Sequence, residues 1–163
     1  VDGEWVPTFP NARYLLAAKE FEYWSARGDD EPDGLNDNIM ADSVQPVVAA
    51  GLVDLVDWTH EVCPEVTLEP TPGHTPGHVA VHVWSEGAEA LITGDFMHHP
   101  CQMTRTEWCS PADFDSAQGQ ATRESVLAQY ADTDVLVIGT HFATPTAGHV
   151  KPLDSGGYYL DVD

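Results

Sequence analysis

Three apolar runs in this chain stop at a glycine-containing turn and present a metal-type side chain just beyond it. The first leads into Thr71-Pro-Gly-His-Thr-Pro-Gly-His78, the second is Leu91-Ile-Thr-Gly-Asp95, and the third is Val135-Leu-Val-Ile-Gly-Thr-His141. Neighbouring strands lie only about 4.8 Å apart, so side chains just past their tips can be held rigidly within reach of one another. A glycine ahead of each ligand (Gly73, Gly94, and Gly139 two positions before His141) lets the backbone turn without a Cβ clash. Zinc and similar divalent ions favour imidazole nitrogen and carboxylate oxygen at about 2.0–2.2 Å. His74, Asp95 and His141 are therefore the candidate metal ligands. Taken singly, each has an ordinary explanation: a histidine after Pro-Gly is more often at the surface, and Gly-Asp at a strand end is often a turn or helix cap. Their joint occurrence in one structural context favours the metal.

The rest of the chain supplies elements around these endings. Residues 1–13 carry Pro7 and Pro10 and read as an irregular approach to a strand at 12–16, followed by a helix at 18–27 with Phe21, Trp24 and Tyr23 on one side and Gly28 as its stop. Residues 29–37 are acidic and poor in apolar side chains, which predicts a solvated loop without calcium-site spacing. Val44, Val47 and Val48 give residues 39–50 a helical face, with Ser43 as cap, Pro46 in the first turn and Gly51 as stop. Residues 52–58 suit either a strand or a last helical turn. Alternation predicts strands at 65–69 and 78–84, the latter turning through Ser85-Glu-Gly-Ala88 into a strand at 90–93. Residues 96–111 have no period and read as a loop on the site face. A helix capped by Asp115 or Ser116 and running to about Tyr130 is expected to bury Ala117, Ala121, Val126, Leu127 and Tyr130. Residues 134–138 form a near-continuous apolar run, the mark of a strand covered on both faces, and 150–162 fold back as two short strands around Ser155-Gly-Gly157. No repeat or linker divides the chain, so residues 1–163 read as a single domain, long enough to hold a real core.

Composition narrows the partners. With 27 acidic against 6 basic residues and a formal charge of −21, the surface repels phosphate backbones, which argues against nucleic acid. No apolar window reaches the roughly 18 residues that suggest a membrane-spanning helix. No charged-then-apolar leader opens the chain, so a cytoplasmic location is the expectation, although a chain beginning Val1-Asp2-Gly3 need not start at its natural first residue. Cys63, Cys101 and Cys109 form no CxxC pair and read as free thiols.

The ordered set Thr71-Pro-Gly-His-Thr-Pro-Gly-His78, Ile92-Thr-Gly-Asp95 and Ile138-Gly-Thr-His141 resembles the metallo-β-lactamase-fold hydrolases, αββα sandwiches with one or two metals at an edge of the paired sheets. Trp5-Val-Pro-Thr-Phe-Pro-Asn-Ala-Arg-Tyr14 and Gly94-Asp-Phe-Met-His-His99 also fit the branch of lactonases, arylesterases and organophosphate hydrolases. The resemblance implies an α/β fold with layered α+β organisation. It makes His74 a ligand of a first metal, Asp95 a carboxylate bridging both metals, and His141 a ligand of the second. His78 falls on a position that supports the loop. His98, three residues beyond the bridging carboxylate, falls where relatives place a residue facing the substrate, so Asp95 and His98 are the candidate catalytic residues. His99 is a weaker candidate, and His60, His82 and His149 read as structural or exposed.

The family's main ligand motif, His-x-His-x-Asp-His, does not occur in these 163 residues. The sandwich is thus expected to be incomplete at its N-terminal side, with this chain the C-terminal portion of a longer protein. The complete enzyme would use two zinc ions to activate water against a small-molecule ester, lactone or phosphoester. Trp108, Phe96, Met97 and Phe142 are candidates for an apolar wall against an acyl or aryl group. The chain alone would have little or no catalysis, because His74, Asp95 and His141 are divided between two metals. A mononuclear iron centre would need a close His-x-Asp pair, whereas Asp95 follows His74 by 21 residues and His141 follows Asp95 by 46. The remaining alternative is a non-catalytic binding or structural module of the same fold.

Overall fold

The structure is a computed structural model that describes residues 3–27 and 38–163. Gly28 and the acidic stretch 29–37 lie outside the described residues. The chain divides into two compact units, Val1–Asp57 and Trp58–Asp163.

In the first unit, β1 (Tyr14–Ala17) leads directly into α1 (Ala18–Arg27), and α2 (Gln45–Ala49) precedes β2 (Val53–Val56). The two strands pair in parallel, Tyr14 opposite Val53 through Ala17 opposite Val56, a pairing that needs a long connection rather than a tight turn between them. Phe21, Tyr23 and Trp24 are half-buried in α1, in keeping with their predicted face. The single helix expected over 39–50 is interrupted. Residues Met40–Val44 form a π-helical turn in which the Gln45 N–H reaches back to the Met40 carbonyl, and no side chain caps α2. Pro46 has no N–H to donate and its ring crowds the preceding turn, so the backbone widens there instead of beginning at a Ser43 cap. The Arg13 guanidinium binds the Asp54 carboxylate and the carbonyls of Gly51 and Val53, lying across the start of β2. That hydrogen bond holds the Asp54 carboxyl below its ordinary range and raises Arg13.

The second unit is built on a seven-stranded sheet in sequential order: β3 (Glu61–Cys63), β4 (Val66–Pro70), β5 (Val79–Ser85), β6 (Ala88–Ile92), β7 (Leu136–Ile138), β8 (Ala147–Pro152) and β9 (Tyr158–Asp161). Every pairing is antiparallel except β6 with β7. The parallel pair needs a crossover, and residues 93–135 provide it with α3 (Cys101–Thr104) and α4 (Ser116–Tyr130). Between β5 and β6 the hairpin turns on Glu86 and Gly87, both at positive φ (53° and 86°), the two-residue geometry that matches strand twist. Register places Ala80, Leu91, Val137 and Val150 in one core with Val126, Leu127 and Tyr130 of α4.

Asp115 caps α4 by accepting from the Gln118 N–H at 2.9 Å. Its buried face is Gly119, Thr122, Arg123, Val126, Leu127 and Tyr130, whereas Ala117 and Ala121 are exposed. Apolar periodicity misplaces the first two turns because the buried side chains there are polar and bind backbone rather than hydrocarbon. Thr122 donates to the Pro72 carbonyl, and Arg123 to those of Thr106 and Phe96. Among the described residues no helix is long and apolar enough to cross a membrane.

Candidate metal centre

The three predicted strand endings converge at one edge of the seven-stranded sheet. After β4 the chain closes a tight loop, with the Thr71 N–H bonded to the His78 carbonyl and the Gly73 N–H to that of Thr75. Gly73 has φ 135°, and a Cβ there would stand 2.4 Å from the backbone of Gly119. Two glycines thus let the loop lie directly against the start of α4. The contact is stitched by the N–H groups of Phe114 and Asp115, which donate to the carbonyls of His74 and Gly73.

His74 is held from both sides. Its Nδ1 lies 3.1 Å from Oδ1 of Asp113, and its Nε2 is 3.5 Å from Oδ2 of Asp95. Asp113 is buried, accepts the Ser110 N–H at 3.1 Å and sits 3.7 Å from the equally buried Arg123 guanidinium. A carboxylate on Nδ1 selects the tautomer that carries its proton there and turns the Nε2 lone pair towards Asp95, the usual way a protein prepares a histidine for an ion.

Asp95 follows Gly94, which has φ 56° and whose Cβ would meet the His78 ring at 2.8 Å. The Asp95 N–H donates to His78 Nε2 at 2.8 Å, so His78 must carry its proton on Nδ1, which lies 2.8 Å from Thr71 Oγ1 and 3.1 Å from the Thr71 carbonyl. His78 therefore acts as a strut between the first and second strand endings. Thr93 performs a similar task between the second and third: its Oγ1 accepts the Thr140 N–H, one residue before His141. On the far side of the carboxylate, His141 Nε2 lies 2.9 Å from Asp95 Oδ1.

His98 joins this group. Its ring stacks on His141 with centroids 4.7 Å apart and meets His74 edge-on at 5.1 Å. Burial pushes the His98 pKa down, helped by the neighbouring His74 and His141, while Asp95 and Asp113 oppose the shift. Its Nδ1 is buried without a hydrogen-bond partner. His99 is exposed, and its Nδ1 accepts the Cys101 N–H at 3.1 Å. None of His60, His82 and His149 belongs to the cluster; His82 instead faces Glu89 at 3.3 Å.

The proposed apolar wall does not form. Phe96, Met97 and Phe142 are 1%, 0% and 5% exposed and belong to the core, leaving Trp108 at the surface beside Arg105. Asp113 and Arg123 escaped the sequence reading, since a carboxylate 39 residues from its histidine carries no local signal. All three cysteines are free, and the Cys109 sulfur accepts from Arg123 at 3.1 Å.

Imidazole nitrogens and a carboxylate converging at strand ends, with one histidine anchored by a buried acid and another holding an orphaned nitrogen, suit a divalent transition-metal ion. The arrangement is that of a candidate metal site on an α/β scaffold. The sequence profile of the metallo-beta-lactamase superfamily matches residues 3–141, and the chain belongs to that superfamily.

No curated protein matches the chain. Among solved structures, the hydrolase AbOPH in the beta lactamase superfamily has a TM-score of 0.79 at 22% identity, over 95% of this chain and 56% of its own. AidC, a dizinc quorum-quenching lactonase in complex with a product, has a TM-score of 0.74 at 22% identity, with the same coverage of 95% and 56%. A probable metal-dependent hydrolase from Staphylococcus aureus follows at 0.67 and 18%, over 95% of this chain and 54% of its own. The chain thus spans little more than half the length of these structures, and the likeness establishes a shared fold.

Proposed function

We propose that this chain supplies one wall of a dinuclear zinc centre that hydrolyses small esters, lactones or phosphoesters. The observation that carries the reading is the position of Asp95 between two histidines, Oδ2 towards His74 and Oδ1 towards His141. A carboxylate so placed is suited to bridging: His74 and Asp95 would hold one ion, Asp95 and His141 the other. When bound, such ions act as Lewis acids that acidify water and polarise a substrate oxygen.

The chain's own residues do the positioning. Asp113 keeps the His74 Nε2 lone pair turned inwards, and His78 fixes the backbone from which Asp95 projects. Asp95 itself is a proton acceptor beside the substrate position. The dizinc lactonase among the similar structures supports both zinc and a lactone-like substrate here. Because the chain contains no His-x-His-x-Asp-His motif, turnover is assigned to a centre that also receives ligands from outside these 163 residues.

The test is hydrolysis of a panel of lactones, aryl esters and phosphotriesters by the protein at its natural full length, with zinc counted by elemental analysis. Asp95→Asn is expected to abolish turnover and lower the zinc content. Unchanged zinc and unchanged activity in that variant would favour a non-catalytic module in which the histidines are incidental.

A further inference from the structure

We infer that His98 is a metal ligand, and that with His74 and Asp95 it forms a three-residue site holding one divalent transition-metal ion without a ligand from outside this chain. The inference rests on the reading of this centre as a metal site but changes what the chain can do alone. His74, Asp95 and His98 each offer a ligand atom within 4.8 Å of the others, the one such trio among the described residues. Ligand atoms around a tetrahedral ion at about 2.0–2.1 Å stand about 3.4 Å apart, so modest side-chain rotation closes the site.

Two further observations separate His98 from a histidine that merely faces solvent or substrate. Its Nδ1 is buried with no hydrogen-bond partner, an arrangement that costs stability unless something occupies the lone pair or takes the proton. The segment carrying it is also firmly anchored. The His98 and His99 N–H groups both donate to Gln102 Oε1, at 2.7 and 3.2 Å, and the Gln102 amide donates in turn to the Trp108 carbonyl at 2.8 Å. Gln102 is buried, as is Met97 immediately before His98. The ring itself packs within the cluster, stacked on His141 and edge-on to His74.

Two imidazoles and one carboxylate form a donor set known from hydrolytic zinc sites, which leave the fourth position open. His141, against the other oxygen of Asp95, remains available to a second ion.

The experiment uses the 163-residue chain stripped of metal with a chelator. Co2+ titration is followed by visible absorption and Zn2+ affinity by competition with a fluorescent chelator. One tight equivalent is expected, with affinity falling at least about 100-fold in His98→Phe, which keeps the ring but loses both nitrogens. His99→Phe is expected to bind as the parent does. In the unmutated chain, long-range 1H–15N spectra should show a His98 ring nitrogen moving to a metal-bound shift with the first equivalent of Zn2+. Parent-like affinity in His98→Phe, or a His98 ring unmoved by Zn2+, overturns the inference. If His74→Ala still abolishes binding in that case, the wider reading of the centre survives; if His74→Ala and Asp95→Asn also bind normally, both fail.

Discussion

His74 Nδ1 lies 3.1 Å from Oδ1 of Asp113, a buried carboxylate 39 residues further along the chain. The buried Arg123 guanidinium stands 3.7 Å from the other oxygen of that carboxylate, so the orientation of the His74 ring is set by a buried charge pair. Asp113→Asn keeps a carbonyl for the Nδ1–H but loses the charge, and zinc affinity is expected to fall about 10- to 100-fold. Asp113→Ala leaves Arg123 without its counter-charge and should also cost about 3 kcal/mol of stability, read by urea denaturation.

Gly73→Ala should be among the most damaging single-methyl changes in the chain. At φ 135° its Cβ would fall 2.4 Å from the Gly119 backbone, which cannot yield without moving α4. A loss of about 2 kcal/mol or more is expected. Zinc binding should weaken as well, because the displaced loop carries His74; denaturation and chelator competition on the same sample check both.

His78→Phe preserves ring volume while removing the acceptor for the Asp95 N–H. The unmet N–H should cost about 1–3 kcal/mol. The informative readout is metal affinity, which should fall although His78 contributes no ligand atom. A variant with parent-like affinity and lowered stability would confine His78 to a structural role.

Tyr130 gives the fold an alkaline limit. Burial first, and the hydrogen bond to Glu69 second, push its phenol far above the ordinary value. The folded state therefore keeps a proton that the unfolded chain releases above about pH 10, so this stability is fully present below that pH and is lost as pH rises beyond it. Tyr130→Phe should be less stable by about 1 kcal/mol at pH 7. Its denaturation midpoint should then fall less steeply than the parent's between pH 10 and 11.

Local chemistry made much of the second unit legible. The β5–β6 hairpin follows from alternating valines around a Glu-Gly turn, and the cap of α4 follows from Asp115. Both β3 and α3 went unexpected because segments of three and four residues are too short to show a period. Glycine turns after apolar runs were enough to nominate His74, Asp95 and His141, while His98 was reached only through the family resemblance; the structure brings all four together.

By itself the sequence determined which side chains stand at the ends of strands, because alternation and glycine turns act over a few residues. Tertiary structure alone decided what those side chains meet. It set Asp113 behind His74, hung the Asp95 backbone from His78 and drew Phe96, Met97 and Phe142 into the core. Each of these depends on the register of strands and the seating of α4 against a loop some 45 residues away, distances over which residue order carries no periodic signal.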